Sequence, residues 1–503
     1  MDQDLSRTLG ELEHKIGELE RALTAIAAGQ QPAPPPPTAP PTPAAPPATQ
    51  GHTPGRIVDE AVEPVHVAQL EWASAGALES PPAAPAPKPA AAEGLPPTAR
   101  PARSPGTEEL LLFRERLEQA GRGLARDYDE LLGHLSYSPV NATPGPTISF
   151  ARGAPSLDII DVDGLREAAG RAFQSDPAGT TAYGTAVGYP RLRTWIADHH
   201  GVEPESVLVT NGSMQADAFL FEHLVAPGDH VIVERPSYDR TLLSLRGRGA
   251  QLHAVELEPD GIDTRALAHL LGEGFVSPKL AHIIPNFQNP AGYTLSLDKR
   301  RELLRLAAQH DFVVFEDDPY VALRFSGESL PTMLSLDSER VVYASSFSKT
   351  VCPGIRVGYL VGPPALIADI ARIATNTYIS PNMVSQSIVY EFCASGALER
   401  SIETVKSALA ERARTLSDAL RRELPEAEFI APQGGYFMWV TLPQGTDVHA
   451  LYSLAAERGV SFVRGTDFLL EGGENTLRLA YSGVTPEQID EGVARLAGAY
   501  RSL

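Results

Sequence analysis

The chain has 503 residues, 43% of them hydrophobic, and carries a formal net charge of -21. That length exceeds one ordinary hydrophobic core, and that acidity repels phosphate backbones, which disfavours nucleic acid and anionic membranes as partners. Its two cysteines, Cys352 and Cys393, suit neither a disulfide framework nor a metal site, and the acidic start and lack of a long apolar run lead us to expect a cytoplasmic protein without a membrane span.

Residues 1–31 place Leu5, Leu9, Leu12, Ile16, Leu19, Leu23 and Ile26 at alternating gaps of four and three, the heptad rule of a coiled-coil seam. Gly10 and Gly17 weaken that seam, so the segment reads as a helix for self-association or partner docking, or as a surface helix on its own catalytic domain. Residues 32–106 are rich in Pro and Ala and bury too little apolar surface to offset chain entropy, which predicts a disordered linker. An island containing Ile57, Val58, Val62, Val65, Leu70 and Trp72 interrupts it, either a recognition element or an accidental apolar patch. Residues 107–175 read as an N-terminal arm and part of a small domain, opening with an amphipathic helix over 108–135.

Short apolar runs at 207–209, 231–233, 282–284, 312–315 and 341–343 then alternate with helical stretches. This is the pattern of an α/β fold with a mostly parallel sheet covered by helices on both faces, expected here over residues 176–370. After a helical region, alternating runs near 437–442, 460–463 and 476–479 predict a smaller α+β C-terminal domain over 371–503.

Three of the runs end in polar residues of different kinds. The second half of the chain supplies Pro285-Asn286-Phe287-Gln288-Asn289-Pro290-Ala291-Gly292, then Glu316-Asp317-Asp318-Pro319-Tyr320, then Ser345-Ser346-Phe347-Ser348-Lys349 with Arg356 close behind. A parallel sheet brings such strand ends to one edge, where an amide, a carboxylate, a phenol and an amine converge. The turn Thr210-Asn211-Gly212-Ser213-Met214 joins a strand to a helix, and the free amides of a helix start form an anion cradle.

Taken in order, Gly212-Ser213, Asn289-Pro290-Ala291-Gly292, Asp317-x-x-Tyr320, Ser346-x-Ser348-Lys349 and Arg356 resemble the fold type I pyridoxal-phosphate enzymes of the class I/II aminotransferase family. The likeness spans about residues 147–500 and is greatest to the aminoadipate and aromatic aminotransferase branch. The resemblance implies pyridoxal 5'-phosphate as cofactor, with the Lys349 amine holding its aldehyde and later shuttling the Cα proton. It implies Asp317, rather than its neighbour Asp318, opposite the pyridine nitrogen, and Tyr320 and Asn289 against the ring's phenolic oxygen. Gly212, Ser213, Met214, Ser346, Ser348 and Arg356 would hold the phosphate or line its seat, and Tyr238 would stack on the ring. Tyr183 matches a tyrosine that reaches the neighbouring subunit's phosphate, which implies a homodimer. Gly153 and Arg478 match a pocket backbone element and the clamp on the substrate α-carboxylate.

The chain departs from the family pattern at Arg464, where a proline is usual, at Asp239-Arg240 after Tyr238, at Ala291 and at Leu409. Arg464 or Arg240 would read a distal anionic group on a bulky amino acid, or else face solvent. The implied activity is transamination of an amino acid to a 2-oxo acid. Elimination or replacement at Cβ or Cγ and oxidative deamination share its first step, and a transcription regulator with a fused aminotransferase domain is a more distant alternative.

Overall fold

The computed structural model describes residues 147–503. The heptad segment 1–31, the linker 32–106 and the helix expected over 108–135 lie outside the described residues. From β1 (Ile148–Ser149) the chain passes to β2 (Val207–Thr210), β3 (His230–Arg235), β4 (Gln251–Glu258), β5 (Gly261–Ile262), β6 (Pro278–Ile283), β7 (Val313–Asp317), β8 (Val341–Ser346) and β9 (Gly358–Val361). The strands from β2 to β9 form one sheet in the order β2-β9-β8-β7-β6-β3-β4-β5.

The centre of the sheet is parallel, with β8 on β7, β7 on β6, β6 on β3 and β3 on β4. β9 runs antiparallel to both β2 and β8, and β5 antiparallel to β4. Because strand side chains alternate, the apolar runs feed two cores. Ile232, Ala281, Ile283, Val314, Val341 and Tyr343 enter one layer, while Val231, Val233, Leu280, Phe315, Val342 and Ala344 enter the other. Burial on both faces explains why these strands read as unbroken apolar runs.

A third core is built on β10 (Glu428–Phe429), β11 (Phe437–Thr441), β12 (Val460–Ser461), β13 (Val463–Arg464) and β14 (Thr476–Ala480). The antiparallel order is β10-β11-β14-β13, and β1 pairs parallel with β12, so the N-terminal arm joins the C-terminal part. The helix Ala397–Glu423 covers this core with Val405, Leu409, Ala413, Leu416 and Leu420, a helical stripe. The helices Val162–Ser175 and Met383–Ala394 bury Ala168, Val389 and Phe392 in the large core, and the change of core falls between Leu398 and Val405. Among the described residues no helix is long and apolar enough to cross a membrane, and no cluster of His, Cys, Asp and Glu could hold a metal ion.

Candidate active site

The carboxyl ends of β7 and β8, the loop after β6 and the start of the helix Ser213–Leu224 enclose a cavity of about 130 Å³. Ser213, Met214, Tyr238, Asn289, Asp317, Tyr320, Ser346, Ser348, Lys349 and Arg356 all line it, together with Asp217. A larger hollow of about 380 Å³ between Glu222, His223, Asp369 and Arg372 is a surface feature whose lining residues are exposed or half-buried.

Lys349 follows β8 and is surrounded by protein except where it faces the cavity. Its Nζ donates to the Gly153 carbonyl at 3.1 Å and lies 5.6 and 5.4 Å from the ring centres of Tyr320 and Tyr436. Burial pushes the amine down to about 8, helped by repulsion from Arg478 and Arg356 and opposed by Asp317. An amine so poised loses its proton readily near neutral pH and becomes a nucleophile. Gly153 comes this close because it lacks a side chain: a Cβ there would meet the Phe437 ring at 2.5 Å.

Strand alternation separates the acids at the end of β7. Asp317 turns into the cavity, whereas Asp318 accepts a 2.8 Å hydrogen bond from Asn286 and faces Arg300. Asp317 is 5% exposed, its Oδ1 has no hydrogen-bond partner, and its Oδ2 lies 3.5 Å from His282 Nε2. A buried carboxylate oxygen with nothing to accept from is costly unless a ligand supplies a donor, and a protonated pyridine nitrogen is such a donor.

The opposite wall is a cradle of donors. Gly212, at φ +88°, lets Arg356 pack against the helix start, since a Cβ there would lie 2.2 Å from Arg356 Nη2. Arg356 Nη1 donates to Ser348 Oγ at 3.2 Å, and the Ser348 amide donates to Ser346 Oγ at 3.1 Å. Helix-start amides, hydroxyls and a guanidinium around one small space fit a phosphate. The two walls together, an orphaned buried carboxylate oxygen on one side and a cradle of donors on the other, fit pyridoxal phosphate.

Arg478, on β14, is tied to the cavity through Asn289, whose Oδ1 accepts from Nη1 at 2.8 Å. Its Nη2 donates to the Ala151 carbonyl at 2.7 Å, its buried Nε has no hydrogen-bond partner, and the rings of Phe437 and Phe468 flank it at 4.3 and 4.8 Å. Burial lowers its pKa, the near-by Asp239 opposing. A buried guanidinium whose hydrogen bonds go to neutral oxygens has the charge and the free donor to receive a carboxylate.

Other residues singled out in the sequence do not reach the cavity. Tyr183 is 88% exposed on this protomer. Arg464, on β13, pairs with Asp467 at 3.2 Å, contacts His449 Nδ1 at 3.1 Å and lies over the Tyr452 ring, while Arg240 pairs with Asp239 at 3.4 Å. Three residues at the site escaped the sequence reading: Asp217, His282 behind Asp317, and Tyr436, whose hydroxyl donates to the Lys349 carbonyl at 2.9 Å. The signal for His282 was a lone polar residue inside an apolar run, and for Asp217 an acid inside an otherwise buried helical stretch.

Comparison with known proteins gives the same picture. The family model for aminotransferase class I and II matches residues 146–496. The chain is 35% identical over 390 residues to the 2-aminoadipate transaminase of Thermus thermophilus, covering 76% of this chain and 96% of that protein. It is 32% identical to aromatic-amino-acid aminotransferase 1 of Thermococcus litoralis, covering 70% of this chain and 87% of that one. The crystal structure of alpha-aminoadipate aminotransferase from Thermus thermophilus, complexed with N-(5'-phosphopyridoxyl)-L-leucine, superposes with a TM-score of 0.68 at 34% identity, over 71% of this chain and 92% of that chain. The chain therefore belongs to the class I and II aminotransferases, fold type I enzymes dependent on pyridoxal phosphate.

Proposed function

We propose that Lys349 is the amine through which this transferase works, moving the α-amine of an amino acid to a 2-oxo acid acceptor. The observation that carries the reading is the meeting, in one enclosed site, of a lysine held near pH 8 with a buried arginine whose hydrogen bonds go to neutral oxygens. When bound, the cofactor supplies an aldehyde that exchanges amines and a ring that withdraws electrons from Cα. Lys349 would hold the aldehyde until the incoming amine replaces it, and its freed Nζ would then take the donor's Cα proton and, in the second half-reaction, give one to the acceptor's Cα. Arg478 clamps the substrate carboxylate and so orients the Cα–H bond toward Lys349. Asp317 would accept from the ring nitrogen, Tyr320 and Asn289 would hold the ring's oxygen, and Tyr238 would cover the ring face. Ser213, Met214, Ser346, Ser348 and Arg356 would hold the phosphate.

Tyr183, outward-facing on one protomer, would complete the site of a second copy in a homodimer. Self-association through residues 1–31 and a cytosolic location, suited to the free thiols of Cys352 and Cys393, belong to the same proposal. We place the end of the cofactor domain near residue 400, where the packing changes cores. At the mouth, Arg464 and Arg240 are matched by Asp467 and Asp239, which favours a bulky uncharged side chain over one with a distal carboxylate.

The test is to incubate the purified holoprotein with single amino acids and 2-oxoglutarate and to quantify both products by mass spectrometry. The proposal expects one 2-oxo acid for each glutamate formed, with leucine or phenylalanine preferred to 2-aminoadipate. Oxo acid that appears with oxygen uptake, or loss of the side chain without glutamate, would assign the site to oxidative deamination or to elimination.

A further inference from the structure

Asp217 sits in the second turn of the helix Ser213–Leu224, in a stretch that otherwise buries Ala216, Phe219, Leu220 and Phe221. It lines the cavity with Asp317, is 7% exposed, and its Oδ1 has no hydrogen-bond partner. Asp317 Oδ1 is likewise without one. Two buried carboxyls that feel each other's charge cannot both ionise cheaply, and one retained proton relieves the repulsion while giving an orphaned oxygen its donor. In agreement, burial and then the Asp317 charge push Asp217 well above the usual carboxylate range, with no cation opposing them.

A bland explanation would be an acid stabilised by the helix start. Asp217 is the fifth residue of that helix, beyond the free amides of its first turn, and those amides belong to the cradle beside Arg356. Tyr238, Tyr320, Lys349 and Arg356 also line this cavity, His282 lies behind Asp317, and the buried Glu234 feels the Asp317 charge.

We propose that Asp217 is a positioning residue acting through Asp317: its neutral carboxyl donates a hydrogen bond to the Asp317 carboxylate and fixes the acceptor turned toward the pyridine nitrogen. The inference rests on Asp317 being that acceptor. An Asp317 so anchored meets the ring nitrogen already oriented, whereas an unanchored one must be ordered on binding.

The test measures dissociation constants of the apoprotein for pyridoxal phosphate and for its analogue with CH in place of the ring nitrogen. Asp217→Leu should weaken pyridoxal phosphate about tenfold while leaving the analogue unchanged, as expected for one lost hydrogen bond to a charged group. Asp217→Asn keeps a donor and should bind both ligands within about twofold of the unsubstituted protein. The thermal midpoint of each apoprotein should not fall, because neither change opens a cavity. Unchanged pyridoxal phosphate binding by Asp217→Leu overturns the proposal, as does an equal loss for both ligands. A loss in Asp217→Asn as large as in Asp217→Leu also overturns it, since a charge rather than a hydrogen bond would then be acting. Asp317→Asn separates the two readings. If it does not weaken pyridoxal phosphate more than the analogue, the role of Asp317 falls and this inference with it; if it does while Asp217→Leu binds normally, only the inference falls.

Discussion

The inner end of the site and its mouth handle charge in opposite ways. Inside, Asp317 Oδ1 and Arg478 Nε are buried without partners, and Lys349 feels the cations Arg478 and Arg356 against the single acid Asp317. At the mouth, Arg464 has Asp467 and His449, and Arg240 has Asp239. Groups that the protein leaves uncompensated in a dry place are those a ligand must complete, whereas groups already paired in partial solvent contribute little to binding. The contrast predicts that substitutions at the inner end are severe and chemically specific, and that those at the mouth are mild.

The largest effect is expected at Lys349. Lys349→Ala should lower kcat for transamination by about 1,000-fold or more, because the nucleophile and the proton carrier are lost together, while pyridoxal phosphate still binds reversibly. Steady-state rates and absorbance titration check the two parts. Next comes Arg478→Met, which should lower kcat/KM for amino acids by about 100-fold, in line with losing a buried charged hydrogen-bonding partner, and leave cofactor affinity unchanged. Equal losses in both measurements would mean that Arg478 supports the fold and not the substrate.

A pH experiment probes the same end. Lys349 is displaced downward to about 8, so it is mostly an ammonium ion below that pH and mostly a free amine above it. Covalent capture of pyridoxal phosphate by the apoprotein, followed by stopped-flow absorbance, should accelerate as pH rises through about 8 and then level off. A rate that keeps rising toward the ordinary lysine range would show that burial does not lower the amine. The smallest effect belongs to the mouth: Arg464→Ala should change kcat/KM by less than about fivefold for every amino acid tested. A large loss confined to substrates with a distal carboxylate would show instead that this arginine leaves Asp467 to bind them.

The same contrast explains what could be read from the chain. The parallel strands were legible because each is a buried apolar run, and their polar ends were legible because strand and side chain are contiguous, as in Val341 through Lys349. β4 and β9 were missed. β4 lies next to β5 at the sheet edge and is only partly buried, and β9 hides directly behind the lysine stretch, paired with the distant β2. Asp217 and His282 gain meaning only when the fold sets them beside Asp317, roughly 100 and 35 positions further along. Arg464 offered a local clue in Asp467 three residues on, but His449 and Tyr452 reach it from a separate helix. The packing boundary near residue 400 was hidden because Met383–Ala394 and Ala397–Glu423 are both helices and differ only in which core they cover.

The central claim is that Lys349 is the amine that holds the cofactor. Reducing the holoprotein with borohydride, digesting it and mapping the phosphopyridoxyl adduct by mass spectrometry tests this directly. The account predicts one adduct per chain, on the peptide containing Lys349. An adduct on Lys279, Lys299 or Lys406 with Lys349 unmodified would contradict it.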